Sequence, residues 1–227
     1  MALAILAAGC GGERSGVTNT NTNTNTSGSF DGAAFPAGIR APGFALRDQL
    51  GRTVSLSRYR GRMTVLIAFL STDCRACMLM AQQVRGALDE LAAKPTYGRG
   101  TAAGAMLVLF VSTDPRTDTK GSIRRFLADA SLADRVLYLT GSEARLRPIW
   151  RAYRIPPPIV DRHPIRGTRR ERRSASAGRR ASEAATTVVL IGPSGNERVA
   201  FGLEQVTPES LTHDIRLLRD GRATPAS

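Results

Sequence analysis

Apolar positions along the chain follow two rhythms separated by turn-rich breaks. Met63-Thr64-Val65-Leu66-Ile67-Ala68-Phe69-Leu70, Ala105 to Val111 and Thr187 to Ile191 are nearly continuous apolar runs of strand length. Such runs read as strands buried on both faces of a sheet. Between them the period changes. Cys77, Ala81, Val84, Leu88 and Leu91 recur at steps of three and four, which predicts a helix over 74–93 with one buried face. Ser122 to Ala130 and Ser142 to Tyr153 read as further helices, with a short strand at Arg135 to Leu139 between them. Pro208 opens a last helix that carries Leu211, Ile215 and Leu218 on one side. Phe44-Ala45-Leu46 and Thr53-Val54-Ser55-Leu56 flank Asp48-Gln49-Leu50-Gly51, a hairpin pattern; Gly192-Pro193-Ser194-Gly195 turns the third long strand into Arg198-Val199-Ala200-Phe201. Strands alternating with helices predict an α/β fold with a central mixed sheet flanked by helices.

Outside this pattern the composition changes. Residues 11–40 are dominated by Gly, Ser, Thr, Asn and Ala, including the alternating Thr-Asn run 18–26. Too few apolar groups are present to offset the entropy of ordering, so this stretch is expected to be a flexible tether. Before it, Ala2 to Ala8 is a short apolar stretch that closes in Leu6-Ala7-Ala8-Gly9-Cys10-Gly11-Gly12. Small residues before a cysteine at the end of such a stretch resemble a bacterial lipoprotein signal, whose cysteine is lipidated. Cys10 is therefore the expected lipidation site, and the chain is expected to be exported and anchored on the extracytoplasmic face of the cell membrane. The expected organisation is a signal segment 1–10, a tether 11–40, a domain 41–220 interrupted by an insertion 156–185, and a tail 221–227.

At 227 residues and 42% apolar, one globular domain with a real core is expected. No apolar run reaches the roughly 20 residues that span a bilayer. The net charge of +13 rests on 30 Arg and 2 Lys. Eight of those arginines (162, 166, 169, 170, 172, 173, 179 and 180) stand against Glu171 inside the insertion, which opens with Pro156-Pro157-Pro158. Prolines, charge and small residues predict an exposed irregular loop. It holds no aromatics to stack on bases, so nucleic acid is not the expected partner. Anionic headgroups or an acidic protein suit it better, and a solvated insertion is the plain reading.

Removing Cys10 leaves Cys74 and Cys77 as a closed pair at a predicted strand-to-helix junction. A helix N-terminus offers free N–H groups and the positive end of the dipole, which favour thiolate over thiol. Exchange with a disulfide needs an attacking thiolate and a second thiol near enough to resolve the mixed disulfide. Cys74 is expected to attack and Cys77, one turn in and partly buried, to resolve. Arg75 would favour the thiolate; Asp73 would oppose it or cap the helix. A structural bridge is the competing plain reading, although so short a loop constrains the unfolded chain little. Copper is the competing chemistry, since two thiolates suit Cu(I) and a histidine would help to hold Cu(II). The chain has two histidines. His163 lies in the basic insertion and is a remote candidate copper ligand; His213, in the last helix, is expected to be solvated. Four protein ligands for zinc cannot be assembled.

The order hairpin, strand, CxxC helix, strand, helix, hairpin, helix is that of a thioredoxin-like domain, with the Arg-rich insertion before the last hairpin. Over residues 41–155 and 184–220 the chain resembles the Sco/SenC family of such proteins. Ser112-Thr113-Asp114-Pro115-Arg116-Thr117-Asp118-Thr119, Leu139-Thr140-Gly141-Ser142, Trp150-Arg151-Ala152-Tyr153-Arg154-Ile155 and Leu190-Ile191-Gly192-Pro193-Ser194-Gly195 carry the resemblance. It implies a protein that binds copper through two cysteines and one histidine, and that delivers copper to cytochrome oxidase or reduces the cysteines of its copper site. The partner implied is an exported cysteine-containing protein such as an oxidase subunit, met by a monomer. Two departures matter. Family members usually have three residues between their cysteines; here there are two. Where their histidine stands, before the strand 187–191, this chain reads Glu183-Ala184-Ala185-Thr186, which also lacks the proline thioredoxins place beside their disulfide. Both departures favour thiol–disulfide exchange over copper. The peroxiredoxin pattern is missing too, since Ser71-Thr72-Asp73 precedes Cys74 without a proline.

Overall fold

The computed structural model describes residues 29–59, 61–92, 106–156 and 185–221. Its strands are β1 (Ala33–Ala34), β2 (Ala45–Arg47), β3 (Thr53–Ser55), β4 (Thr64–Leu70), β5 (Met106–Ser112), β6 (Leu137–Leu139), β7 (Thr187–Ile191) and β8 (Glu197–Gly202). The helices among the described residues are α1 (Arg75–Glu90), α2 (Lys120–Asp129), α3 (Glu143–Ala152) and α4 (Pro208–Asp220). Six strands form one mixed sheet in the order β1-β8-β7-β4-β5-β6, and β2 and β3 make a separate hairpin. Strands β4, β5 and β6 are mutually parallel, whereas β7 runs antiparallel to β4 with Phe69 opposite Thr187. The expected α/β architecture with a central mixed sheet is the one observed.

The continuous apolar runs are explained by burial on both faces. All seven residues of β4 and of β5 are buried. Leu66, Ala68 and Leu70 face one layer with Met80, Val84, Ile123, Phe126, Leu211 and Ile215, so α1, α2 and α4 cover that side. Val65, Ile67 and Phe69 face the other, against Leu46 and Val54 of the hairpin and Leu146 and Trp150 of α3. Alternate residues of one strand thus serve two cores, as the two-residue pleat requires.

Element ends shift by a few residues from expectation. Helix α1 starts at 75 and ends at 90 rather than running 74–93, because Cys74 is its N-cap and the chain leaves the helix through Leu91 and a left-handed Ala92. Helix α2 starts earlier than expected, at Lys120, because the Thr119 hydroxyl accepts the Ser122 amide and caps it. Strand β6 is trimmed to Leu137–Leu139 and β8 extends to Glu197–Gly202. Thr207 and Ser210 form a reciprocal capping box on α4, and Gly221 closes that helix at φ 67°, a left-handed position that suits glycine.

The domain boundary expected at residue 41 lies too late. Ala33–Ala34 pairs with β8, covering its edge. Asp214 of α4, fully buried, accepts the Asp31 and Gly32 amides at 2.9 and 3.1 Å. A Cβ on Gly32 would sit 2.4 Å from Val199, so only glycine permits this approach. The last residues of the expected tether are therefore packed parts of the domain. Residues 1–28 and 157–184 lie outside the described residues, and with them Cys10, His163 and the Arg cluster.

Candidate functional site

The C-terminal ends of the parallel strands converge on one site, the usual location for ligands in such sheets. Strand β4 ends at Leu70, and Ser71-Thr72-Asp73 leads directly into Cys74. Cys74 has extended backbone dihedrals, and its own sulfur accepts the Cys77 amide at 3.1 Å. Asp73 is exposed and does not cap the helix; the Cys74 sulfur already occupies the position of the acceptor. Cys74 and Cys77 form a disulfide with their Cα atoms 5.1 Å apart. Cys74 retains 7% of its surface and Cys77 none. Cys77 is thus wholly rather than partly buried, and what solvent exposure remains in the pair belongs to Cys74.

Two groups contact the Cys77 sulfur. The Ser71 amide donates to it at 3.3 Å, and the Thr186 hydroxyl lies 3.4 Å away. Thr186 enters from the start of β7, the antiparallel neighbour of β4. The proline absent from this position in the sequence is replaced by a polar side chain on the buried sulfur, a contact that no local signal announces.

Below the turn sits Asp118, whose side chain is the most heavily hydrogen-bonded group of the site. Its Oδ1 accepts the Thr72 amide at 2.7 Å, the Thr72 hydroxyl at 2.8 Å and the Ser71 hydroxyl at 3.3 Å. Its Oδ2 accepts the Ser112 hydroxyl at 2.6 Å and the Tyr138 hydroxyl at 2.9 Å. Burial holds this carboxyl above the ordinary carboxylate range, against the lowering effect of the Ser112 and Thr72 donors. Burial, and then the neighbouring carboxylate, push the Tyr138 phenol well above its usual range. Trp150 donates its indole N–H to the Ser112 carbonyl at 2.9 Å and so fixes the end of β5 from the opposite layer. An open groove of about 480 Å³ runs beside the turn, lined by Thr72, Asp73, Met78, Thr117, Ser122 and Phe126 among others.

His213 is half-exposed rather than free in solvent. Its Nδ1 lies 2.9 Å from Asp214 and 3.4 Å from Asp31, so it belongs to the contact that holds the N-terminal segment. The described residues therefore bring Cys74 and Cys77 together without an imidazole, and two thiolates with no nitrogen donor suit Cu(I) better than Cu(II).

The family model described as SCO1/SenC matches residues 34–219. The chain belongs to the SCO1/SenC family. No curated protein matches it in sequence. Among solved structures, apo Sco1 from Thermus thermophilus is 18% identical with a TM-score of 0.60, covering 85% of this chain and 99% of its own. Yeast Sco1 with copper bound is 18% identical with a TM-score of 0.58, covering 78% of this chain and 87% of its own. BsSco, described through a disulfide switch and as a member of the Sco family of cytochrome c oxidase assembly proteins, is 17% identical with a TM-score of 0.54, covering 81% and 95%. At these identities the structures establish a shared Sco fold. The family match starts at residue 34, which agrees with β1 as the first packed element.

Proposed function

We propose that this Sco-fold protein carries out thiol–disulfide exchange through Cys74 and Cys77, acting on an exported cysteine-containing client such as the copper-site cysteines of a cytochrome oxidase subunit. The observation that carries the reading is the pair itself: a cysteine at a helix N-cap that keeps 7% of its surface, and a wholly buried one a turn later whose sulfur has two polar contacts. In the reducing direction, the Cys74 thiolate attacks one sulfur of a client disulfide and the client's other sulfur leaves as thiolate. The Cys77 thiolate then attacks Cys74, releasing the client's second thiolate and closing Cys74–Cys77. The client gains two electrons and this dithiol loses them; a second dithiol protein returns them. The groove lined by Thr72 and Asp73, the residues just before Cys74, would take a segment of the client. BsSco, described through its disulfide switch, lends family support.

The test is a trap. Cys77→Ser should accumulate a mixed disulfide with a disulfide-bonded copper-site peptide, released by dithiothreitol. Cys74→Ser should accumulate none, and equal trapping by the two variants overturns the assignment of the attacking sulfur.

A second reading rests on the same pair. The two thiolates, Cys74 and Cys77, would hold Cu(I) as cargo, in keeping with the copper-bound yeast relative. Loading of one Cu(I) per reduced chain, lost in Cys74→Ser, would support it; loss of the metal to a mild chelator would sink it.

Export and lipidation of Cys10 complete the proposal, supported by the small-residue stretch before that cysteine. No helix among the described residues is long and apolar enough to cross a membrane. Mass spectrometry of the mature N-terminus should find diacylglyceryl-Cys10, and an unmodified residue upstream of it overturns this part.

A further inference from the structure

A carboxyl group buried this deeply costs free energy unless its surroundings supply donors. Asp118 receives five, from three different places: the turn after β4, the last residue of β5, and Tyr138 of β6. Three of the five come from Ser71 and Thr72. These residues have neither a helix nor a strand to hold them, yet Ser71 supplies the amide aimed at Cys77 Sγ. The order of that amide must come from elsewhere: the Asp118 side chain takes three donors from the two residues, and Thr117 adds one contact to each of their hydroxyls.

We propose that Asp118 is the positioning residue of the dithiol: by accepting the Ser71 and Thr72 donors it fixes the turn that points the Ser71 amide at the Cys77 sulfur. An N–H donor stabilises a thiolate more than a thiol or a disulfide, because the bond is charge-assisted. Fixing that donor therefore favours Cys77 as the thiolate that resolves a mixed disulfide and that leaves when the bridge is opened. The sulfur's own contacts are the Ser71 amide and the Thr186 hydroxyl, so Asp118 acts through Ser71. The use of the device rests on the exchange reading; the geometry and the titration below do not.

Asn and Ala at position 118 separate position from charge. An Asn carbonyl keeps the Thr72 amide, and its NH2 can donate to the Ser112 and Tyr138 hydroxyls, which then turn to accept. Ala releases the turn. Among the described residues, the titratable groups around the site are Asp73 and Arg75 on the cysteine turn, Asp114 and Asp118 after β5, Arg125 and Asp129 of α2, and Tyr138 on β6; Thr186, just before β7, presents its hydroxyl.

The experiment uses the full chain carrying Cys10→Ser and Cys74→Ser, so that Cys77 is its one thiol, and follows thiolate absorbance at 240 nm against pH. Asp118→Ala should raise the Cys77 midpoint by about one pH unit, a tenfold loss of thiolate below it, while Asp118→Asn leaves it close to the parent. An unmoved midpoint in Asp118→Ala, with only a lower melting temperature, means a structural role and overturns the proposal. A midpoint lowered in both variants means that Asp118 acts by charge, and overturns it equally. Should Asp118→Ala not fold, Ser71→Ala with Thr72→Val removes two of the three gripping donors: a rise of the same sign is expected, and no rise refutes. Failure of Cys77→Ser to trap a mixed disulfide would sink the exchange reading and leave this shift in place.

Discussion

Thr186→Val tests whether the β7 contact tunes the dithiol. Valine keeps the branched shape and removes the hydroxyl that lies 3.4 Å from Cys77 Sγ. In the oxidised form that sulfur is a neutral, weak acceptor, so the loss there is small. In the reduced form, a thiolate at the same place accepts a charge-assisted bond, a type worth about 1.5–3 kcal/mol. A 3.4 Å contact to sulfur belongs below that range, and about 1 kcal/mol of differential stabilisation of the reduced form is the expectation. For a two-electron couple about 30 mV corresponds to 1.4 kcal/mol, so the variant should be about 20 mV more reducing than wild type at pH 7. The shift should fade at acid pH, where the thiol is protonated in both proteins. Equilibration against glutathione buffers, read by alkylation and mass, gives the potential. The melting temperature of the oxidised form controls for the other contacts of Thr186. No shift, or a shift toward a more oxidising potential, with an unchanged oxidised melting temperature, would refute the reasoning.

Three further outcomes follow from the packing and the buried carboxylates. A Cβ on Gly86 of α1 would meet the Pro208 ring at 2.8 Å, whereas one on Gly121 of α2 has nothing nearer than 4.0 Å. Helix propensity favours Ala over Gly by about 1 kcal/mol, but overpacking costs about 1–3 kcal/mol. Gly121→Ala should therefore raise the melting temperature and Gly86→Ala lower it; a rise in both would show that α1 and α4 pack more loosely than described. Asp214→Ala leaves the Asp31 and Gly32 amides without their acceptor, at a cost of about 1–3 kcal/mol. Amide exchange at 31–34 should accelerate before that of β4, and unchanged protection there would rule out the latch. Asp118 has its folded pKa raised above the unfolded value, so its contribution to stability is full below about pH 4 and is lost as pH rises through the raised value. The melting temperature of Asp118→Asn relative to wild type should accordingly improve as pH rises from about 4, and a relative fall over that window would reverse the sign assigned here.

What was legible in the sequence was what repeats along it. Strands β4, β5 and β7 announce themselves because burial on both faces demands an unbroken apolar run, and α1 because one buried face demands steps of three and four. The cysteine pair was readable from its spacing at that junction. Strand β1 was not, since two alanines among glycines have no period, and their pairing with Ala200 and Val199 depends on a segment some 165 residues away in sequence. Asp118 stood in the stretch 112–119 that carries the resemblance, but nothing local shows that its side chain turns inward to Ser71 and Thr72 while Thr119 caps the helix. The Thr186 contact is likewise tertiary, created by the register that sets Thr187 opposite Phe69. Local rules locate elements; which polar side chain a sulfur meets is decided by the pairing of strands distant in sequence.

The central claim, that Cys74 and Cys77 form a working dithiol, is tested most directly by their reduction potential in the wild-type chain. The account predicts a value between about −120 and −300 mV, the span over which exchange proteins operate. A value below about −300 mV would mark an inert structural bridge and contradict it.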